Sequence, residues 1–261
     1  MAAVTNIRLI ARLDIKGSNL IKGFQFEGLR VVGDPHTYAS RYYHEGVDEI
    51  LYIDTVATLY GRSQLLDIVA RTAEHVFVPI TIGGGVRSVE DANALFRAGA
   101  DKVAINSAAL ADPTLLSRLA EQFGAQAVVL SIQAKRTGNG EWVCYSENAR
   151  ERSIRGVVAW AVEAVERGAG EILLTSVDRD GTGLGFDLDL IQATADAISV
   201  PLIASGGLGA PEHLIEAVTA GASAVASGYA LHFGKCTLGV LRNHALAHQL
   251  PVRQHVARPA A

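Results

Sequence analysis

Short apolar runs rich in β-branched residues alternate along the chain with longer amphipathic stretches. The runs at 7–14, 49–54, 77–82, 101–106, 126–132, 170–176, 200–205 and 222–227 predict eight strands. They lack a clean two-residue alternation of polar and apolar positions. That absence predicts strands covered on both faces, as in a parallel sheet. Between them, 88–98 opens on Ser88 with Asp91 three positions later, close to a capping-box pattern. Residues 112–123 begin Asp-Pro, and 211–220 begin at Pro211 and stop before Gly221, so both read as helices.

The two halves of the chain echo each other. EGVDEILYID (45–54) matches RGAGEILLTS (167–176), and VPITIGGGVRSVEDANALFRAGADKVAINSAA (78–109) matches VPLIASGGLGAPEHLIEAVTAGASAVASGYA (200–230). RLDIKG (12–17) aligns more loosely with SIQAKR (131–136). Four βα units used twice make eight. Each half-sheet alone leaves unpaired edges, and closing the halves on each other removes them. An open doubly wound sheet also holds eight strands, but the repeat favours closure. The expected fold is of the α/β class: a single (β/α)8 barrel domain over 1–261 with a two-fold half-barrel repeat. The length of 261 residues suits such a barrel, typically about 250.

Composition removes several function classes. A net charge of −4 gives no reason to expect a nucleic-acid partner. No uncharged apolar stretch is long enough to predict a membrane span, and the first residues lack the order of a signal peptide, so a cytoplasmic location is expected. Cys144 and Cys236 form neither a metal spacing nor a disulfide framework. The histidines show no HExxH and no pair at ligand spacing, and GxGxxG, Walker and GxSxG patterns are missing. No metal and no cofactor are expected.

In a barrel of this kind, chemistry collects at the carboxyl ends of the strands. Gly84 and Gly85 follow the third strand, and Gly206 and Gly207 follow the seventh at equivalent positions of the repeat. A single Gly-Gly is equally an ordinary turn. A matched pair, flanked by Asn106-Ser107 and Ala226-Ser227, reads as two phosphate sockets. Asp14 ends the first strand and is the leading candidate for a catalytic carboxylate, with a loop-anchoring role as the alternative. Lys22 neutralises a phosphate, pairs with Asp14, or lies solvated on the surface. Asp54 and Thr175 stand at the ends of strands two and six. Beyond strand six, Asp178 and Asp180 are placed to orient a polyol, Thr182 to meet a phosphate, and Gly181, Gly183 and Gly185 to let the loop close; a plain solvated loop remains the alternative. Tyr60 is a possible ligand-stacking group. At the opposite face, Arg8, Glu49, Lys102 and Glu171 stand near the starts of strands one, two, four and six. Their alternating signs suggest a closed ring of ion pairs around the axis.

These same residues carry a family resemblance. RLDIKG with Lys22-Gly23, GDP (33–35), DEILYID (48–54), TIGGGVRSVED (81–91), GADKVAINSAA (99–109), GAGEILLTSVDRDGTG (168–183), IASGG (203–207) and LHFG (231–234) resemble the cyclase subunit of imidazole glycerol phosphate synthase, of histidine biosynthesis. The likeness runs from about Arg8 to Gly234. It implies a lyase-type barrel that receives ammonia, through its axis, from a glutamine amidotransferase docked at its bottom face. Arg8, Glu49, Lys102 and Glu171 match the family's gate, and Asp101 a residue beside the partner. The implied substrate is an open-chain nucleotide precursor with two phosphates. The implied products are imidazole glycerol phosphate and an aminoimidazole carboxamide ribotide.

Asp14 matches one of the family's two catalytic aspartates. Gln133 stands where the other is expected. A carboxamide hydrogen-bonds but does not take up a proton near neutral pH. Arg12 stands where the family usually has cysteine, and the segments Gly17-Ser18-Asn19 and Thr58-Leu59-Tyr60-Gly61 also depart. Together these departures resemble a paralogous branch associated with surface-polysaccharide synthesis, which amidates an activated N-acetylated sugar. The expectation is therefore the paralog. The histidine-pathway cyclase and a non-catalytic ammonia conduit are alternatives, and a related histidine-pathway isomerase is a weaker third.

Overall fold

The computed structural model describes residues 6–55 and 63–255. Tyr60 and the 58–61 segment lie outside the described residues. Eight parallel strands close into a barrel: Arg8–Lys16, Glu49–Asp54, Ile80–Gly83, Lys102–Ile105, Val128–Arg136, Glu171–Ser176, Leu202–Ser205 and Ala224–Ser227. Closure comes from Arg8 pairing with Ala224 between the first and eighth strands, and from Glu171 pairing with Val129 between the halves. The sequence places all eight barrel strands, with ends shifted by a few residues.

The missing alternation has a physical basis, since each strand faces two interiors. On the first strand, Leu9, Ala11, Leu13 and Ile15 face the large core between barrel and helices. Ile10 joins Leu51, Ala104, Val129, Leu173 and Ile203 in a separate apolar cluster. Its neighbours at the same parity are Arg8, Arg12 and Asp14, so this strand inserts charge into the barrel at both ends.

The helices start where their caps put them. Ser88 accepts the amide N–H of Asp91 at 3.2 Å and opens helix Val89–Arg97. Asp91 reaches back to the amide of Arg87 at 2.8 Å, one residue earlier than a capping box requires. Asp112 accepts from Thr114 and opens helix Thr114–Phe123, while Pro211 precedes helix Glu212–Thr219.

Two features escape the sequence reading. Each half extends its first strand into an antiparallel excursion: Asn19–Phe24 with Glu27–Gly33 in one, and Trp142–Ser146 with Glu151–Gly156 in the other. Both rise from the carboxyl-end rim and form walls of the mouth.

Candidate active site

The matched glycines adopt matched geometry. Gly84 has φ +93° and Gly206 has φ +89°. A Cβ on Gly84 would stand 2.2 Å from the carbonyl oxygen of Asp54, and one on Gly206 would stand 2.5 Å from that of Ser176. Asp54 and Ser176 are themselves equivalent in the repeat. Each glycine turn therefore presses onto the end of the preceding barrel strand, which a side chain would forbid.

A pocket of about 520 Å³ opens on the first turn. Gly84, Gly85, Asn106, Ser107, Asp54 and Gln133 line it, with Ser131, Arg87, Glu147 and Arg150. The buried Oδ1 of Asn106 has no protein partner, while its Nδ2 donates to the Tyr145 carbonyl at 3.0 Å. Arg87 and Arg150, which bring positive charge to this pocket, were not singled out from the sequence. Arg150 arrives on a tight turn, Glu147-Asn148-Ala149, in which three successive non-glycine residues have positive φ. The turn-forming run Thr137-Gly138-Asn139-Gly140 is the signal that would have revealed this second hairpin.

Gln133 is buried, and its Oε1 accepts the Ala149 amide at 2.7 Å. One lone pair of its oxygen is thus committed to the hairpin, and the amide as a whole offers hydrogen bonds but no titratable proton.

Between the two glycine turns lies a buried cluster of two cations and two anions. Arg12 Nε donates to Asp14 Oδ1 at 2.8 Å, and Lys22 Nζ to Asp14 Oδ2 at 3.1 Å. Lys22 also donates to Asp180 at 2.8 Å. Arg12 Nη1 crosses to the hydroxyls of Thr175 at 2.9 Å and Ser205 at 3.1 Å. Burial opposes charge on Asp14. Arg12, and after it Lys22, outweigh that penalty and hold the carboxyl well below the usual carboxylate range.

Other predicted residues sit differently. Thr182 closes its own turn, donating to the Arg179 carbonyl at 2.7 Å and accepting from the Leu184 amide. Asp178 caps the end of strand five by accepting the Arg136 amide at 2.8 Å. A Cβ on Gly181 would meet the Gly23 carbonyl at 2.7 Å, so this turn packs closely under the first hairpin. Gly207 accepts the Gly185 amide at 2.8 Å, and Ala226 and Ser227 are buried at the end of strand eight. His244 and His248 do stand one helical turn apart with ring centroids 4.4 Å from each other, contrary to the reading of no pair at ligand spacing. No third ligand joins them among the described residues.

Behind strand one, His232 is buried with its Nδ1 2.7 Å from the Tyr42 hydroxyl. Burial, reinforced by the charge of Lys22, lowers its pKa to about 4. The folded state therefore holds this imidazole neutral where the unfolded chain protonates it. Its contribution to stability is complete above the unfolded value, near 6.5, and is lost as pH falls from there toward 4. Urea titrations between those limits should show stability falling with acidity. The slope should be shallower in His232→Gln, by up to about 3 kcal/mol over the window. An identical slope in the two proteins would show that His232 is not its source.

At the opposite face the four charges form a ring. Arg8 bridges Glu49 at 2.8 Å and also Glu171, and Lys102 bridges Glu49 at 3.1 Å and Glu171 at 2.8 Å. The two glutamates are buried and the cations are partly exposed. Asp101 stands beside the ring, its side chain accepting the Ile80 amide at 2.8 Å.

The architecture defines a class: a closed eight-fold barrel made of two like halves, with paired glycine turns and a charge cluster at its mouth. A family model described as histidine biosynthesis protein matches residues 8–237. The chain is 60% identical over 206 residues to the imidazole glycerol phosphate synthase subunit HisF of Legionella pneumophila, covering 79% of this chain and 97% of that one. It is 46% identical over 253 residues to the subunit of the same name in Gluconacetobacter diazotrophicus, covering 97% and 98%. For Myxococcus xanthus HisF the identity is 50% over 236 residues, covering 90% and 93%. The chain belongs to this histidine biosynthesis family, among the HisF subunits, and is an enzyme of their lyase and cyclase type.

This corrects the expectation of a surface-polysaccharide paralog. The departures at Arg12 and Gln133 are local, whereas the relatives match the chain over nearly its whole length and are HisF subunits of imidazole glycerol phosphate synthase. Two mouth residues do not outweigh that extent of identity.

Among the described residues, no helix is long and apolar enough to cross a membrane.

Proposed function

We propose that this chain is the cyclase subunit of imidazole glycerol phosphate synthase. It joins ammonia to an open-chain nucleotide precursor with a phosphate at each end, and releases imidazole glycerol phosphate and an aminoimidazole carboxamide ribotide. The observation that carries this reading is the geometric equivalence of the two glycine turns, each pressed on a strand end. A substrate with two phosphates needs two such anchors, and Asp14 stands between them. Gly84, Gly85, Asn106 and Ser107 hold one phosphate. Gly206, Gly207, Ala226 and Ser227 hold the other, with Gly181 and Thr182 closing the turn beside it. Asp14, Lys22, Asp54, Thr175, Asp180 and Gln133 face the reacting portion between them.

A glutaminase docks on the ring face, around Arg8, Glu49, Asp101, Lys102 and Glu171, and ammonia enters along the axis. Both glutamates of the ring bind both cations, so the closed ring bars that entrance until a partner displaces a cation.

The experiment is turnover of the two-phosphate precursor, fed first with ammonium salt and then with glutamine plus the glutaminase. Wild-type protein should form imidazole product above the uncatalysed rate with either feed. Lys102→Glu should lose the glutamine-fed reaction by about tenfold or more while keeping most of the ammonia-fed one. No ammonia-fed product from the wild type would reject the cyclase reading. Equal loss with both feeds would reject the docking face.

A further inference from the structure

Asp14 offers two carboxylate oxygens, and in this fold each already accepts a charged donor. The donors come from different elements. Arg12 is its neighbour along the same face of strand one, and Lys22 stands on the first hairpin. Arg12 is itself anchored on the far side of the barrel by Thr175 and Ser205, and its guanidinium lies over the Phe26 ring, 5.4 Å from the centroid. Arg12 and Asp14 are therefore one rigid unit rather than a mobile carboxylate with a passing counterion. Lone pairs on both oxygens stay available to accept from a substrate hydroxyl or amine. The other charged or titratable groups around this carboxylate are Asp180 on the turn after strand six, His232 behind strand one, and Asp54 at the end of the adjoining strand. Across the mouth, Gln133 has no proton to exchange near neutrality.

We propose that Arg12 is a positioning residue that fixes Asp14 as a permanent anion, so that Asp14 anchors and polarises the substrate instead of transferring a proton. The inference deepens the cyclase reading and rests on it for the substrate. It makes this mouth unusual in chemical terms. Neither residue at the two candidate catalytic positions exchanges a proton in the working range, so the reaction moves its protons through other groups: water, the substrate's own phosphates, or another titratable side chain of the mouth such as Asp54.

Two measurements on the full chain test it. The first needs no activity: the ¹³C shift of the Asp14 carboxyl carbon, followed from about pH 2.5 to about pH 7. The wild type should show no titration. Arg12→Cys should bring the Asp14 midpoint up into this range, a rise of about one to three units, the usual effect of removing an adjacent cation. If that variant does not fold, Arg12→Met, which keeps much of the buried volume without the charge, carries the same expectation. Arg12→Lys should restore the silent shift. A wild-type midpoint within the ordinary carboxylate range overturns the proposal, as does an Asp14 unaffected by loss of Arg12.

The second is the pH profile of ammonia-fed turnover, scored relative to pH 7 to remove differences in rate. The wild type should be flat from about pH 4 to about pH 8.5, and Arg12→Cys should gain an acid limb at the lower end of that range. An acid limb in the wild type overturns the proposal. If the precursor is not turned over at all, the cyclase reading fails and the carbon shift alone decides the role of Arg12.

Discussion

Gly84→Ala should raise the KM for the two-phosphate substrate by about 10- to 100-fold and cost about 1–3 kcal/mol of stability. Gly206→Ala should do the same from the other half. Both magnitudes follow from one geometry. Each position has a positive φ, and the added carbon would lie 2.2 Å from Asp54 O or 2.5 Å from Ser176 O, with no flexible side chain to give way. The backbone must move, and the amides proposed to hold phosphate move with it. Inorganic phosphate titrated into the two variants separates the sockets, since each should lose one of two sites and keep the other. Unchanged KM, or loss of both sites in one variant, would show that the turns are not independent anchors. The double variant should lose the substrate almost entirely, because the two turns have no shared partners and their effects should add.

Gln133→Asp is the second expected large effect, and its sign is a gain. Ammonia-fed turnover should rise by about a hundredfold, the usual worth of a positioned proton-transfer group. Aspartate is one methylene shorter than glutamine, so it gives up the 2.7 Å bond to the Ala149 amide and leaves a carboxylate facing the pocket. Stability should fall by about 1 kcal/mol for the lost hydrogen bond. The new carboxyl lacks the two cations that clamp Asp14, so it should bring a pH dependence that the wild type does not have. Steady-state rates across pH for the two proteins check both statements. A rate unchanged within a factor of three would mean that the reaction draws nothing from a base at this position.

The barrel was readable because strand, turn and repeat gave the same answer. Eight apolar runs, caps such as Ser88 and a duplicated Gly-Gly leave few topologies open. The glycine turns were readable for the same reason, because a residue without a side chain marks a close approach wherever it recurs. Contacts made by flexible side chains were harder to foresee. Nothing in RLDIKG states that Arg12 turns inward to Asp14 and across to Ser205, since the partner lies on strand seven and the distance is set by barrel closure. Thr182, expected to meet a phosphate, instead satisfies its own turn, a local bond that competes well with any ligand. The second hairpin was missed although Thr137-Gly138-Asn139-Gly140 marks its entry, because its strands are short and half-exposed and its own left-handed turn at 147–149 contains no glycine. The paralog expectation failed for a related reason. Two substitutions at the mouth change what a site offers but carry little information about ancestry beside a whole barrel of matched positions.

The pairing of Arg8 with Ala224 has a consequence during synthesis. The first strand acquires neighbours early, in the hairpin strand Asn19–Phe24 and then Glu49–Asp54, but the Arg8–Ala11 part of its outer edge waits for the eighth strand. At ribosomal speeds that wait is roughly ten to forty seconds. For that time an incomplete sheet presents unpaired amides and carbonyls to every nascent chain nearby. The alternation Arg8, Ile10, Arg12, Asp14 sets three charges along the strand, where a run of aliphatic residues would invite a foreign strand to add on. Charges that end up inside the finished barrel are then of the kind that blunts an open strand edge in the nascent one.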